Sequence, residues 1–398
     1  MAEEEEDIIN TLPDAVLCHI LSFLETKQYV ATSIISKRWN NLWRSVPAMD
    51  LGHTVFTDQN AYLRFIHFVY SVLLSRDSTL PITNFELSFA YHNYQILTPH
   101  NPMDCVTKWV NFVVQRGVQY IDLSAGIPGF PKLPSSVLTC STLVDLKIYC
   151  FNVEVCFSPV ILPSLKTLHL EHIWFDELRD FMLFLAGSPL LEDLYTLELS
   201  FGSEESLTCD EWKSFCLSNL TEAVIDCFHF HFRCRFPLKV VYNVSSLCLE
   251  IDQVNCHNDF IHTFHNLTQL EFDCCSLHYN WKLVLELLNH CPKLQSLRLS
   301  EVVLEDRFSP RNDDNENWVD PDFVPQCLSL HLRTCHFSSF LGRHGTELML
   351  ALYILKHARV LQTMTIYNSG ERNISRQFFS CPIASDTCEL DVCYSPCK

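Results

Sequence analysis

Glycine is scarce, at nine of 398 residues. Loops that wrap a phosphate need glycine where the backbone closes on the anion. No Gly-x-Gly-x-x-Gly, phosphate-loop or Gly-x-Ser-x-Gly pattern occurs, which excludes those nucleotide sites and the nucleophile elbow. Positive charge is also short, with 28 Lys plus Arg against 47 Asp plus Glu and a net charge of −19. A chain this acidic repels phosphate backbones, so general nucleic-acid binding is excluded. No run reaches the ~18 consecutive apolar residues of a membrane span. The opening MAEEEEDII has neither the basic segment nor the apolar core of a secretion signal. A cytoplasmic or nuclear location is expected, where thiols stay reduced. The 20 cysteines then read mainly as small buried hydrophobes.

Apolar residues are plentiful, at 48%. From Ile8 to Trp43 they are spaced for helices. Leu12, Val16, Leu17, Ile20, Leu21, Phe23 and Leu24 follow the i, i+3, i+4 pattern of one stripe. Pro13 and Asp14 suit a helix start. Thr26 is placed to cap a second helix carrying Val30, Ile34 and Ile35. Ser36 is placed to cap a third with Trp39, Leu42 and Trp43. So small a module cannot bury all these side chains alone. Either the rest of the chain or a partner covers them.

The wording is specific. Leu12-Pro13-Asp14, Leu17-x-x-Ile20-Leu21-Ser22-Phe23-Leu24, Thr32-Ser33 and Ser36-Lys37-Arg38-Trp39-x-x-Leu42-Trp43 together resemble the plant F-box, in order and without gaps. Ala15 and Tyr29 depart from the usual pattern. The resemblance implies docking on a Skp-type adaptor of a cullin–RING ubiquitin ligase. The residues it points to are Leu12, Pro13, Leu17, Ile20, Leu21 and Val30, while Trp39 and Trp43 could equally be the module's own core.

Further on, helical patterns cover Tyr62–Leu74 and Val106–Gln115, and a frame Leu-x-x-Leu-x-Leu recurs. Clear copies are Leu143/Leu146/Ile148, Leu165/Leu168/Leu170, Leu191/Leu194, Val244/Leu247/Leu249, Leu267/Leu270/Phe272 and Leu294/Leu297/Leu299. Weaker ones are Ile82/Phe85/Leu87, Val118/Ile121/Leu123 and Leu220/Ala223/Ile225. From Val118 the starts step by 25, 22, 26, 29, 24, 23 and 27 residues, the period of leucine-rich repeats. One such repeat cannot bury its own leucines, so stacked repeats share a continuous core.

Residues 305–322 are rich in Asp and Glu and hold Pro310 and Pro321, which predicts a solvated, dispensable loop. Beyond it a strand is expected around Leu328–Leu332, then a helix with Leu348, Ala351, Leu352, Leu355 and Ala358 on one side, then a strand at Met364–Ile366. Val324-Pro325, Gly342-x-x-Gly345 and Leu355-Lys-x-Ala358-x-Val360-Leu361 make this block similar to the FBD domain of plant F-box/leucine-rich-repeat proteins. Read from its residues, it caps the last repeat.

The expected fold is therefore α/β. A three-helix F-box module precedes an irregular leucine-rich-repeat solenoid, a horseshoe of parallel strands closed by a C-terminal α/β cap. The expected boundaries are an acidic tail at 1–7, the F-box at 8–48, a connecting region at 49–117, repeats at 118–304, the acidic loop at 305–322, the FBD-like block at 323–392 and a tail at 393–398. Cys227-x-His229-x-His231-x-x-Cys234 has zinc-ligand chemistry. In a strand, however, Cys234 points away from the other three. No metal, cofactor or catalytic residue is expected. The chain reads as a non-catalytic substrate receptor of an SCF-type (Skp–cullin–F-box) ligase with an unknown target protein. The rivals are a repeat-based interaction module without a ubiquitin role, and a zinc or thiol enzyme built around Cys227–Cys234.

Overall fold

A computed structural model of the chain describes residues 8–91, 102–127, 129–155, 159–203, 217–226, 238–250, 262–273, 277–300, 318–340, 345–368 and 374–394. The tail 1–7, the Cys227–Cys234 run and residues 305–317 of the acidic segment lie outside the described residues. The chain divides into two compact units, one of residues 1–191 with 199–207 and one of 192–198 with 208–398.

The first unit opens with helices α1 (Ile8–Thr11), α2 (Asp14–Leu21), α3 (Thr26–Ala31) and α4 (Trp39–Leu42). Arg38, not Ser36, holds the cap position of α4; the Ser36 hydroxyl, two residues earlier, makes a long contact of 3.5 Å from the Trp39 N–H. Thr26 does not cap: α3 starts on it, Glu25 holds the cap position, and Thr26 is buried. Strand β1 (Ala48–Phe56) follows at once. Then come α5 (Gln59–Ser75), β2 (Asn84–Tyr91), α6 (Pro102–Val114), β3 (Tyr120–Gly126), β4 (Asp145–Tyr149), β5 (Asn152–Val153), β6 (Thr167–Glu171), β7 (Trp174–Glu177) and α7 (Leu178–Ala186). Residues 192–198, with β8 (Asp193–Leu197), belong to the second unit, and 199–207, with β9 (Ser200–Ser203), to the first.

Strands β1, β2, β3, β4 and β6 lie side by side in that order, all parallel. Every frame residue expected in them is buried, from Ile82 to Leu170. The array starts earlier than the repeat pattern suggests. Val46-x-x-Met49-x-Leu51 is the same frame, all three residues are buried, and Met49 pairs with Phe85. Strands β5, β7 and β9 form a second small parallel sheet. The chain turns towards β5 and β7 at Cys150 (φ 63°) and His172 (φ 52°). This left-handed conformation costs an ordinary residue about 1–2 kcal/mol. It is offset where Phe151, Val153, Ile173 and Phe175 enter the core behind it.

In the second unit β8, β10 (Glu222–Ile225), β11 (Ser246–Glu250), β12 (Gln269–Asp273), β13 (Ser296–Ser300), β14 (Thr334–Phe340), β15 (Thr363–Asn368) and β16 (Glu389–Tyr394) form one parallel series. Its rungs are main-chain. The Ser245 carbonyl accepts from the N–H groups of Thr268 (2.9 Å) and Gln269 (3.1 Å). The Thr268 carbonyl serves Gln295 (2.8 Å) and Ser296 (2.9 Å), and the Gln295 carbonyl serves Arg333 (2.8 Å) and Thr334 (3.0 Å). The first unit repeats the device, with Gln119 accepting from Val144 (2.7 Å) and Asp145 (3.0 Å).

The C-terminal block closes this unit by extending it. Leu332/Cys335/Phe337 and Leu361/Met364/Ile366 are two more copies of the frame, all buried, on β14 and β15. The strand expected around Leu328–Leu332 is instead a short helix, Gln326–Leu330, set by Pro325 just before it, and the strand begins at Thr334. Helix Gly345–His357 buries Leu350, Ala351, Ile354, Leu355 and Ala358 at the adjoining residue, and packs on helix Leu277–Asn289. Strand β16 ends the series with Glu389 and Asp391 exposed, charges that discourage pairing with another edge.

The last residues of the acidic segment are docked. Trp318 packs on Trp281, the rings tilted by 36° with centroids 4.5 Å apart, and lies 5.8 Å from the Tyr353 ring. The Tyr353 hydroxyl donates to the Phe323 carbonyl at 2.8 Å. A loop judged by its charges alone hides this aromatic anchor. Trp318→Ala is expected to cost about 2 kcal/mol of local stability. Limited proteolysis should then cut at residues 318–323 faster than in the unaltered chain. An unchanged cleavage rate would show that the ring packing does not hold the segment.

Candidate functional site

The N-terminal module sorts its apolar residues into two sets. Leu17 and Leu21 face α4 and the turn after it, and are 0% and 2% exposed. Trp39, Leu42 and Trp43 complete that core. Ile20 stays 45% exposed, Ile34 89% and Ile35 60%. Val16 and Pro13 are exposed too, and Leu12 and Val30 are half-buried. Of the six residues expected to meet a partner, Leu17 and Leu21 are thus closed off by the module itself. Helical spacing marks a face as apolar without saying what covers it, and here two adjoining faces are apolar. Ile34 and Ile35, expected on the second helix with Val30, lie beyond its end at Ala31, in and just after a 3-10 turn (Thr32–Ile34) where the 3.6-residue period no longer applies, and the turn leaves them outward.

Two contacts set the module's shape. The Arg38 guanidinium donates to the Leu12 carbonyl and, through Nε at 2.9 Å, to the Asp14 carboxylate. It ties the Leu12-Pro13 turn to the start of α4. Tyr29 is fully buried, and its hydroxyl donates to the Ala48 carbonyl of β1 at 3.1 Å. Arg76, buried at the end of α5, donates to the Val46 carbonyl. Burial pushes the Tyr29 phenol up and the Arg76 guanidinium down. Tyr29, a departure from the usual F-box wording, therefore bolts the helices to the first strand.

A second feature lies on the open face of the same unit. Strand register aligns Asp50 with Glu86, Glu86 with Asp122, Asp122 with Lys147, and Lys147 with His169. Beside it is a cleft of about 480 Å³, with His19 and Phe23 from the end of α2 among its lining and Asp50 and Glu86 from β1 and β2. Gly52, at φ 64° in the β1 bulge, donates its N–H to the Asp50 carboxylate at 2.7 Å. Glu86 has no hydrogen bond or ion pair among the described residues. Burial, then the like charges of Asp50 and Asp122, raise the Glu86 carboxyl above its usual range. Burial raises Asp122 likewise, with Lys147 pulling back.

Comparison with known proteins assigns the chain. The F-box/FBD/LRR-repeat protein At4g00160 of Arabidopsis thaliana is 30% identical over 90% of this chain and 86% of its own length. The chain belongs to the F-box/FBD/LRR-repeat family. F-box/FBD/LRR-repeat protein At4g26340 of the same plant is 28% identical over 96% of this chain and 99% of its own length. The FBD-associated F-box protein At5g56370, also from Arabidopsis thaliana, is 29% identical over 90% of each. Family models match at residues 9–49 (F-box domain), 320–366 (FBD) and 106–210 (the LRR repeats of FBD-associated F-box protein At5g56370). In this F-box/FBD/LRR-repeat protein, no helix among the described residues is long and apolar enough to cross a membrane. Nor, among those residues, do three His, Cys, Asp or Glu side chains gather as a metal site would require.

Proposed function

We propose that this F-box/FBD/LRR-repeat protein is the substrate-recognition subunit of an SCF-type E3 ubiquitin ligase. Its F-box docks on a Skp-type adaptor, and its repeats hold a target protein for ubiquitination. The chain makes and breaks no bond. It contributes proximity, raising the effective concentration of a target lysine near the charged ubiquitin carrier. The observation that supports the reading best is the exposed apolar set on a folded module: Ile20, Ile34 and Ile35, with Val16 and Pro13. Exposed apolar clusters on soluble proteins mark interaction sites. Leu12, Pro13, Ile20 and Val30 keep their proposed contact roles, and Val16, Ile34 and Ile35 join them. Leu17 and Leu21 act from beneath by fixing the helices.

The exposure makes the test clean. Ile20→Asp and Ile34→Asp should leave the melting curve within about 0.5 kcal/mol of the unaltered chain, as surface changes do. Each should lower affinity for a purified Skp-type adaptor at least ~100-fold, since an unpaired charge buried at the interface costs several kcal/mol. Both variants folded and binding normally would overturn the docking assignment.

A further inference from the structure

On the open face of β1–β3, three carboxylates stand in one row, from strands whose residues are 36 positions apart in sequence: Asp50, Glu86 and Asp122. Parallel neighbours are about 4.8 Å apart, so the row extends over about 10 Å. That is wider than one metal ion can bridge with ligand bonds of about 2.5 Å. Like charges directly opposite one another destabilise a sheet. Lys147, next in the row, attracts both Glu86 and Asp122, yet Glu86 has no ion pair of its own among the described residues. The row is only partly compensated within the fold: the Gly52 N–H donates to Asp50 at 2.7 Å and the Tyr120 hydroxyl to Asp122 at 3.3 Å, while Glu86 between them accepts from no described residue. The row opens at one end into the cleft under α2, where the Phe23 ring, 75% exposed, meets the edge of His19 with centroids 4.9 Å apart. A cleft of this size admits a long side chain, and an aromatic face beside carboxylates suits a guanidinium. At the other end stands Lys147, its ammonium 5.6 Å from the Tyr120 ring, which bounds the acidic stretch with a charge of opposite sign.

We propose that this cleft and row form the docking surface for a basic segment of the target protein, with an arginine or lysine entering between Phe23 and the Asp50–Glu86 pair and further cations lying along Asp122. The proposal rests on the receptor reading above and names the chemistry of the target that reading leaves open.

The experiment is fluorescence anisotropy on the full chain at 0.15 M salt. The probe is a fluorescein-labelled nonapeptide with arginine at three alternate positions, set against its citrulline twin, which has the same shape without the charge. The arginine peptide should bind at least tenfold tighter than the twin. Asp50→Asn with Glu86→Gln should remove at least tenfold of that affinity. Glu389→Gln with Asp391→Asn, the same loss of charge on β16, should change it less than twofold. The Asp50/Glu86 variant should melt at or above the unaltered chain, because it relieves repulsion. A lower melting point would mean the row is structural and would overturn the proposal. So would equal losses in the two paired variants, which would reveal general attraction to an acidic surface, or binding that a divalent cation alone saturates. Adaptor binding is measured on the same proteins. Lost peptide with retained adaptor supports the row. Retained peptide with no adaptor binding, even in the unaltered chain, sinks the ligase reading and leaves a basic-peptide binder.

Discussion

A chain ending at residue 322 is expected to aggregate rather than persist as a soluble monomer. The deletion removes β14–β16 and helix Gly345–His357. Leu350, Ile354 and Leu355 of that helix are each fully buried. Side chains of this size contribute about 1.5–3 kcal/mol each when buried, a large share of the 5–15 kcal/mol that holds a typical domain together. Their loss uncovers helix Leu277–Asn289, where Trp281, Leu285 and Leu288 are buried. It also leaves β13 as an unpaired edge with free main-chain donors and acceptors, a template for other chains. Size-exclusion chromatography with light scattering would show large species. A soluble, monomeric 1–322 fragment with unchanged melting would instead make the C-terminal block a separate module.

The second large effect is expected at Tyr29. Tyr29→Ala should cost about 3–5 kcal/mol, the range for removing a fully buried large aromatic. The residue lies between α3 and β1, and its hydroxyl satisfies the Ala48 carbonyl. Tyr29→Phe keeps the ring and loses that bond, for about 1 kcal/mol. Thermal melting of the two variants separates packing from hydrogen bonding. Tyr29→Phe should retain adaptor, and Tyr29→Ala should release it as the module loosens. An alanine variant that melts within ~1 kcal/mol of the unaltered chain would show that other contacts hold the helices in place.

The strands were legible because a leucine frame at fixed spacing leaves a mark that survives irregular turns. Leu143/Leu146/Ile148 and Leu294/Leu297/Leu299 needed nothing more than alternation. Val46/Met49/Leu51 went unseen because its first residue falls inside the helical motif before it. Leu332/Cys335/Phe337 went unseen because cysteine fills a leucine position and the acidic segment stretches the step. Trp318 was lost among acidic neighbours, since its partner Trp281 lies 37 positions earlier. In the candidate site, periodicity showed that α2 is apolar but could not divide Leu17 and Leu21 from Ile20, because that division depends on where α4 lands. The row of Asp50, Glu86 and Asp122 could not be seen at all without the register, which brings distant positions opposite one another.

The paired rungs between strands bear on how such a gene can change. Most strand starts are fixed by two amides reaching one carbonyl of the preceding repeat, so registration depends on main-chain atoms rather than on particular side chains. The frames are 22 to 38 residues apart from Val118 onward, and paired rungs persist even across the longest step, at Gln295. Turns can therefore lengthen or shorten, and open-face side chains can be rewritten, one repeat at a time without retuning the neighbours. The exception is proline, which has no amide hydrogen to give. At a position such as Val144 or Thr268 it would delete half a rung, so drift at these sites is free in every direction but that one.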